Sequence, residues 1–456
     1  MFCAWLVVQF TDAGPTSAAQ TGSGGVINEL MYHPASEQDG HEYVEVTNTG
    51  VITVDLSGWF FDDGFEYTFP GGTLLPPGGY LVVAHDPAAV AAQYGLDLAD
   101  VLGPFADKRL SDAGERVALY DASGAWMDQV TFDDASPWPV EPDGGGPALE
   151  LINPIFDNDR ACNWAASSAQ GTPGAQNSVF ALDVPPCIED VSHAPTFPTS
   201  SQNPILTARV TDNGALITPT VYHKPDASAL FDATPMRDDG SAADAVAGDS
   251  IYTAQLPAYA DGTLVEFYIE AMDDAGLSTR APAGAPGAIS SETGAPLTIG
   301  YLFLVEDTPP ASTRSVYRLL VSSENWAELT TRDLYSNALL DATFVYGDDV
   351  YYNVGLRYRG ETSRPSYPKS YRVNFPSSHL FHPAAWGGSG GIQRLNLVAD
   401  RIAREALTYD LFRRAGLTAS DTEFVDLYIH TTYQGLTIAI EQVDEYFLGA
   451  HLPGDD

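Results

Sequence analysis

The sequence predicts a multidomain chain: two all-β sandwiches in series, followed by a mixed α+β domain. Three observations carry this. The length of 456 residues leaves room for about three domains of ~150 residues each. Short alternating apolar and polar runs, broken by Gly, Pro and Asp, recur from residue 26 to residue 281. A clear helical period appears near the other end, over residues 400–416. Hydrophobic residues make up 44% of the chain, which supports real cores and excludes a disordered polyanion.

The first module, residues 23–178, opens on Val26-Ile-Asn-Glu-Leu-Met-Tyr32 and continues with Glu42-Tyr-Val-Glu-Val46, which alternates cleanly. Leu56-Ser-Gly-Trp59, the buried-looking run Gly79-Tyr-Leu-Val-Val-Ala84, residues 110–120 and residues 127–132 follow at sandwich spacing. Glu29, Glu42 and Glu45 read either as a carboxylate cluster or, the favoured account, as ordinary outward-facing strand residues. Residues 179–202 are rich in Pro and predict a linker. A second β module spans 203–281, with strands expected at 205–210, 218–223, 251–256 and 263–272. Asp238-Asp-Gly240, Asp244 and Gly248-Asp249 within it invite a Ca²⁺ reading, because hard oxygen ligands cluster there. The alternative is an Asp/Gly-rich turn, since the spacing is not that of an EF-hand loop. Residues 282–300, poor in charge and rich in Ala, Gly and Pro, predict a second linker.

Residues 301–456 form the mixed domain. A strand is expected at 316–321, a short helix at 324–329, and paired strands at 351–358 and 370–375 around a Gly360-Glu-Thr-Ser363 turn. The helix at 400–416 is expected to be capped by Asp400, to carry Ala403, Leu407 and Leu411 on one face, and to end at Gly416. Strands at 425–429 and 436–440 complete the order.

Charge narrows the partners. The formal net charge is -40 at pH 7, spread unevenly: residues 1–300 hold 8 Lys/Arg against 41 Asp/Glu, and residues 301–456 hold 13 against 20. Nucleic acid and anionic membrane surfaces are repelled by the acidic front of the chain. No run of 18 apolar residues occurs, so no membrane-spanning segment is expected. Residues 1–22 read as a secretory signal, with an apolar stretch from Phe2 to Phe10 and the small-residue site Ser17-Ala-Ala-Gln20. The positive n-region is missing, as the first basic residue is Lys108. The expected location is secreted or cell-surface. Cys3 falls in the leader, leaving Cys162 and Cys187 as a disulfide pair or as two free thiols.

Against this acidity, five basic residues, Arg357, Arg359, Arg364, Lys369 and Arg372, fall within sixteen positions. Backbone N–H groups of a Gly/Ser/Thr turn, backed by a Lys on the next strand, make a workable cradle for phosphate oxygens. The alternative is a solvated hairpin carrying surface arginines.

Two resemblances sharpen the reading. Ile27-Asn-Glu29, Tyr43-Val-Glu45, Leu56-Ser-Gly-Trp59, Leu110-Ser with Gly114-Glu115, and the close Gly171-Thr-Pro-Gly174 with Asn177 resemble the lamin tail domain. That family implies an immunoglobulin-like sandwich, and the second β module looks like an immunoglobulin or fibronectin type III spacer. Arg359-Gly360, Ser363, Lys369-Ser-Tyr371, Leu395-Asn396, Asp400, Arg404-Glu405, Gly435-Leu436, Glu441-Gln-Val-Asp444 and Phe447-Leu448 resemble the CotH kinase family. This second resemblance implies an α+β kinase-like domain, of which the chain carries the N-terminal part. It further implies ATP with Mg²⁺ as cofactors, and Ser/Thr side chains of extracellular or coat proteins of bacterial type as acceptors. Lys369 would contact phosphate, with Arg359, Gly360 and Ser363 beside it. Glu405 would hold Lys369 as in protein kinases, or serve only as a first-turn Glu favoured by the helix dipole. Glu441 would open a hinge whose backbone meets adenine, or the acidic start of a helix.

The departures are specific. Glu361 stands where the family has Asn, Pro368 replaces the first of two lysines, and His430-Thr431 and Thr437 replace Asn-Gly and Tyr. The family's catalytic and metal-binding aspartates lie well downstream of Glu-Gln-Val-Asp, and Asp455 and Asp456 are too close to the end to stand in for them. No catalytic residue is therefore assigned within the chain, and metal ligands stay open. Two functions follow as expectations: an exported CotH-type protein kinase placed by two β modules, or a non-catalytic surface or adhesion protein. Gly387-Gly-Ser-Gly-Gly391 lacks phosphate-loop spacing and reads as a flexible turn. No G-x-S-x-G, H-E-x-x-H, Walker A or C-x-x-C motif occurs.

Overall fold

The computed structural model describes residues 24–36, 38–105, 109–386 and 391–452. The signal segment at 1–22, nearly all of the Gly387–Gly391 turn, and Asp455 and Asp456 lie outside them. The chain divides into two units: residues 1–131 with 141–180, and residues 132–140 with 181–456. Among the described residues no helix is long and apolar enough to cross a membrane. Cys162 and Cys187 are both disulfide-bonded.

The first unit is a sandwich of a six-stranded and a four-stranded sheet. The larger runs in the order 164–166, 149–151, 25–31, 43–48, 80–84, 101–102; the smaller runs 126–131, 116–120, 60–62, 67–68. Tyr43, Phe61, Phe65, Phe69 and Phe105 are fully buried. The backbone N–H of Ile27 donates to Asp128 Oδ2 on the opposite sheet at 2.6 Å. The reading of Glu29, Glu42 and Glu45 as outward-facing residues is corrected here, for all three are at most 1% exposed. Both faces of strands Gly25–Met31 and Tyr43–Asn48 are covered, so alternation along the sequence does not mark a wet face.

In the second unit, Cys187–Ala194, part of the stretch read as linker, is a strand paired with Ile205–Thr211, which pairs in turn with Ile251–Gln255. The facing sheet runs 232–235, 216–225, 264–273, 278–281, and Tyr301–Leu304 adds to strand 264–273. Phe267 and Phe303 fill the space between them. The stretch 282–300 contains a small ribbon, Gly287–Ile289 with Pro296–Thr298. Among the described residues the carboxylates of the Asp-rich loop do not come together in a group of three that could hold a metal ion. Asp238 accepts backbone N–H groups of Gly248, Asp249 and Ser250, Asp244 accepts that of Gly240, and Asp239 that of Ser241. The His/Cys/Asp/Glu clusters of metal-binding type among the described residues lie elsewhere. These carboxylates shape turns.

The rest of the second unit is a closed barrel of seven strands: β1 (Val316–Leu320), β2 (Leu340–Tyr346), β3 (Asp349–Tyr358), β4 (Tyr371–Asn374), β5 (Arg394–Val398), β6 (Thr422–Ile429) and β7 (Thr432–Glu441). The order is β1-β2-β3-β4-β5-β7-β6, and a parallel β1–β6 pair closes the ring. Closure removes sheet edges. Tyr317, Phe344, Tyr351, Phe375 and Phe381 fill the interior, mostly edge to face, as in Tyr317–Phe344 at 5.2 Å and 81°. Among the described residues three α-helices lie outside the ring: α1 (Ser323–Thr331), α2 (Ile402–Arg414) and α3 (Glu445–His451).

Helix α2 starts differently from expectation. Its N-cap is Arg401, in the left-handed region at φ 53°, with no side-chain cap; Asp400 instead lies 3.7 Å from the Arg401 guanidinium. Ile402, Ala406 and Tyr409 pack on Val398, Ile438 and Ile440 of the barrel wall. The face that carries Leu407 and Leu411 is turned outward, with Leu407 68% and Leu411 64% exposed.

Candidate functional site

The site grows out of strand alternation. In β3 the residues Leu356 and Tyr358 point into the barrel, so Arg357 and the following Arg359 point out. In β4, Tyr371 and Val373 are buried and Arg372 points out; in β5, Leu395 and Leu397 are buried and Asn396 takes the outer position. Register aligns them, since Arg357 pairs with Arg372 and Arg372 with Asn396. Two arginines and an asparagine therefore form a row across three neighbouring strands. They line a cavity of about 490 Å³ together with Tyr335, Asn337, Arg359, Gly360, Glu361, Arg364 and Gln442.

Polar contacts hold this wall in place. Arg359 Nε donates to Asn396 Oδ1 at 2.8 Å, and Asn396 Nδ2 donates to Gln442 Oε1 at 3.0 Å. Arg364 is buried, and its guanidinium is spent on structure: it donates to the carbonyls of Gly360, Leu334 and Ser336 and to Asn337 Oδ1. It thereby ties the turn after β3 to the segment before β2. Gly360 takes φ 95°, and a Cβ there would strike Ser363 Oγ, so glycine is required in that turn.

The electrostatics are one-sided. Burial pushes the Arg372 guanidinium down to about 10, and the charges of Arg357, Arg394 and Arg359 push the same way, with Asp444 opposing. Its Nε is buried without a hydrogen-bond partner. Burial also lowers Arg357, reinforced by Arg364, Arg359 and Arg332. Arg359 is lowered by burial, while Glu405 and Tyr409 work against the shift. Desolvated like charges raise one another's cost, and an anion placed among them relieves it. Glu361 is the one carboxylate-bearing residue among those lining the cavity.

Of the residues singled out from the sequence, Arg359 and Gly360 line the cavity. Lys369 does not. Its Nζ donates to the carbonyl of Arg364 and lies 5.2 Å from the centroid of the Tyr358 ring. Ser363 sits behind Gly360 within the turn. Among the described residues no ion pair joins Lys369 to Glu405, and the Glu405 charge acts on Arg359 instead. Glu441 ends β7; its Oε2 accepts from the backbone N–H of Asp421 at 3.1 Å and lies 2.9 Å from His451 Nε2. Its neighbour Gln442 is the residue that reaches the cavity. Asp444 caps α3, accepting from the Phe447 N–H at 3.2 Å, as the helix-start alternative expects. Arg357 and Arg372 belonged to the basic cluster visible in the sequence, but their pairing depends on register. Tyr335 and Asn337 gave no sequence signal.

Comparison with known families adds two matches. Residues 18–134 match the Lamin Tail Domain family, and residues 356–456 match the CotH kinase protein family. No curated protein matches the chain. The second match begins inside β3, so Tyr335 and Asn337 come from outside the matched segment.

Proposed function

We propose that the chain is an exported CotH-type protein kinase that binds ATP in the arginine-lined cavity. Its acceptors are Ser/Thr hydroxyls of extracellular or coat proteins, and its two β-sandwich modules place it on a surface. One observation carries the reading: three desolvated arginines, Arg357, Arg359 and Arg372, share a cavity with no lining carboxylate but Glu361, inside the segment that matches the CotH kinase family. Bound ATP would supply the phosphoryl group. Arg357 and Arg372 would meet its phosphate oxygens, Arg359 would be held in line by Asn396, and the Gly360 turn would bring backbone close to the ligand. Phosphoryl transfer depends mainly on such positioning and charge neutralisation.

Mg²⁺ fits less well. A catalytic Mg²⁺ needs oxygen ligands from carboxylates as well as from phosphates, and this lining offers Glu361 alone. That observation favours a second reading, a non-catalytic surface or adhesion protein whose cavity binds a phosphate compound without transferring it.

Isothermal titration of the full chain with ATP, with and without Mg²⁺, tests the binding claim. Saturable binding is expected, weakened roughly ten- to hundredfold by Arg372→Met, because a charge-assisted hydrogen bond contributes about 1.5–3 kcal/mol. Transfer of labelled phosphate to a protein acceptor then separates the kinase from the non-catalytic reading. No ATP binding by a folded chain removes the kinase reading and leaves the non-catalytic one.

A further inference from the structure

Register lines up three glutamates across the larger sheet of the lamin-tail-like module. Glu150 pairs with Glu29, and Glu29 pairs with Glu45. All three are fully buried. Like charges directly opposite one another in a sheet are unfavourable even in water, and far more so when desolvated.

What covers them is the module's last segment, residues 168–179. The Thr172 N–H and the Tyr43 hydroxyl donate to Glu29 Oε1 at 2.8 and 2.6 Å. The Gly174 N–H and Asn28 Nδ2 donate to Glu45. Glu150 accepts from the hydroxyls of Thr172 and Ser178 and from the Val179 N–H. Gly171 passes so close that a Cβ would strike the Tyr43 hydroxyl and Glu29 Oε1. Glu29 Oε2 is buried with no partner.

The titratable groups acting on Glu29 and Glu45, besides one another, are Glu150, Tyr43, Tyr80 and Tyr94. None of them is a cation. Burial pushes Glu29 up to about 8 and Glu45 well above its usual range.

We propose that this glutamate row is a proton-operated latch: with a proton held on Glu29 or Glu45 the segment 168–179 is clamped to the sheet, and losing that proton loosens it. The closed form binds a proton that the open form releases. The opening constant therefore rises about tenfold per pH unit per proton between pH ~5 and ~8 and levels off above. The latch is tight in acid and slack in alkali.

Hydrogen exchange of the full chain, corrected for intrinsic rates, reads it at the amides of Thr172, Gly174 and Val179. The expected result is protection that falls about tenfold per pH unit over that window, at these amides and not across the second unit. Glu29→Gln, which stays neutral, should flatten the slope by one proton. A pH-independent protection in the wild-type chain overturns the proposal, and this arm stands even if the variant does not fold. Restoration of protection at pH 9 by Ca²⁺ or Mg²⁺ also overturns it, because the row would then serve a cation rather than a proton.

Discussion

Arg372 shows how much a single side chain can carry at this site. Its charge is desolvated and hemmed in by Arg357 and Arg394, with Asp444 opposing from further along the chain. A ligand phosphate would gain more from it than from a solvated lysine. Lys369, by contrast, is committed to the Arg364 carbonyl, so Lys369→Ala should act on ATP affinity through the turn. A denaturant midpoint that falls together with affinity would show this; lost affinity at unchanged stability would make Lys369 a direct phosphate contact. Gly360→Ala should cost about 1–3 kcal/mol, since it forces a Cβ into a left-handed position against Ser363. Chemical denaturation measures it.

Burial raises Asp128 to about 7 and Glu42 to about 8. Folded values above the unfolded ones mean that the native state holds extra protons. What these two groups contribute to the stability of the first unit is full below the unfolded pKa and is lost as pH rises to about 8. Asp128→Asn should reduce that slope in calorimetric melts recorded from pH 5 to pH 8.

Helix α2 illustrates what an element adds beyond its own pattern. Its apolar residues allow two faces, and the face that packs was settled by Val398, Ile438 and Ile440 on the barrel wall. Leu407→Gln should therefore change stability by less than about 0.5 kcal/mol. Tyr409→Ala should cost about 1–3 kcal/mol, because it strips a half-buried ring from the barrel wall. Equal costs in equilibrium unfolding would mean that both faces are covered. The alternation of β3 and β4 was legible in the sequence. The pairing of Arg357 with Arg372 was not, since a slip of one residue in either strand would separate them.

Across the whole molecule, the repeated turn signals between short alternating runs mark β-rich modules. The family phrases placed the two matched segments. Hydrogen exchange on the full chain with ATP should protect residues 357–372 and 394–398 in the second unit and leave the first unit unchanged; protection confined to the first unit would relocate the ligand.

The sequence by itself determined that short alternating stretches between turn signals are strands, and where the cations gather. These depend on local chemistry: side-chain period, charge and backbone freedom. Only the tertiary structure decided that the kinase-like segment is part of a closed barrel, that Arg364 and Lys369 serve the turn, and that Glu29, Glu42 and Glu45 face inward. Those outcomes rest on groups distant in sequence. Asn337 engages Arg364, Thr172 covers Glu29, and Ser312 and Arg314 engage Asp426 in the strand that closes the ring. Burial and hydrogen-bond partnership between such groups exist only once the chain has brought them together.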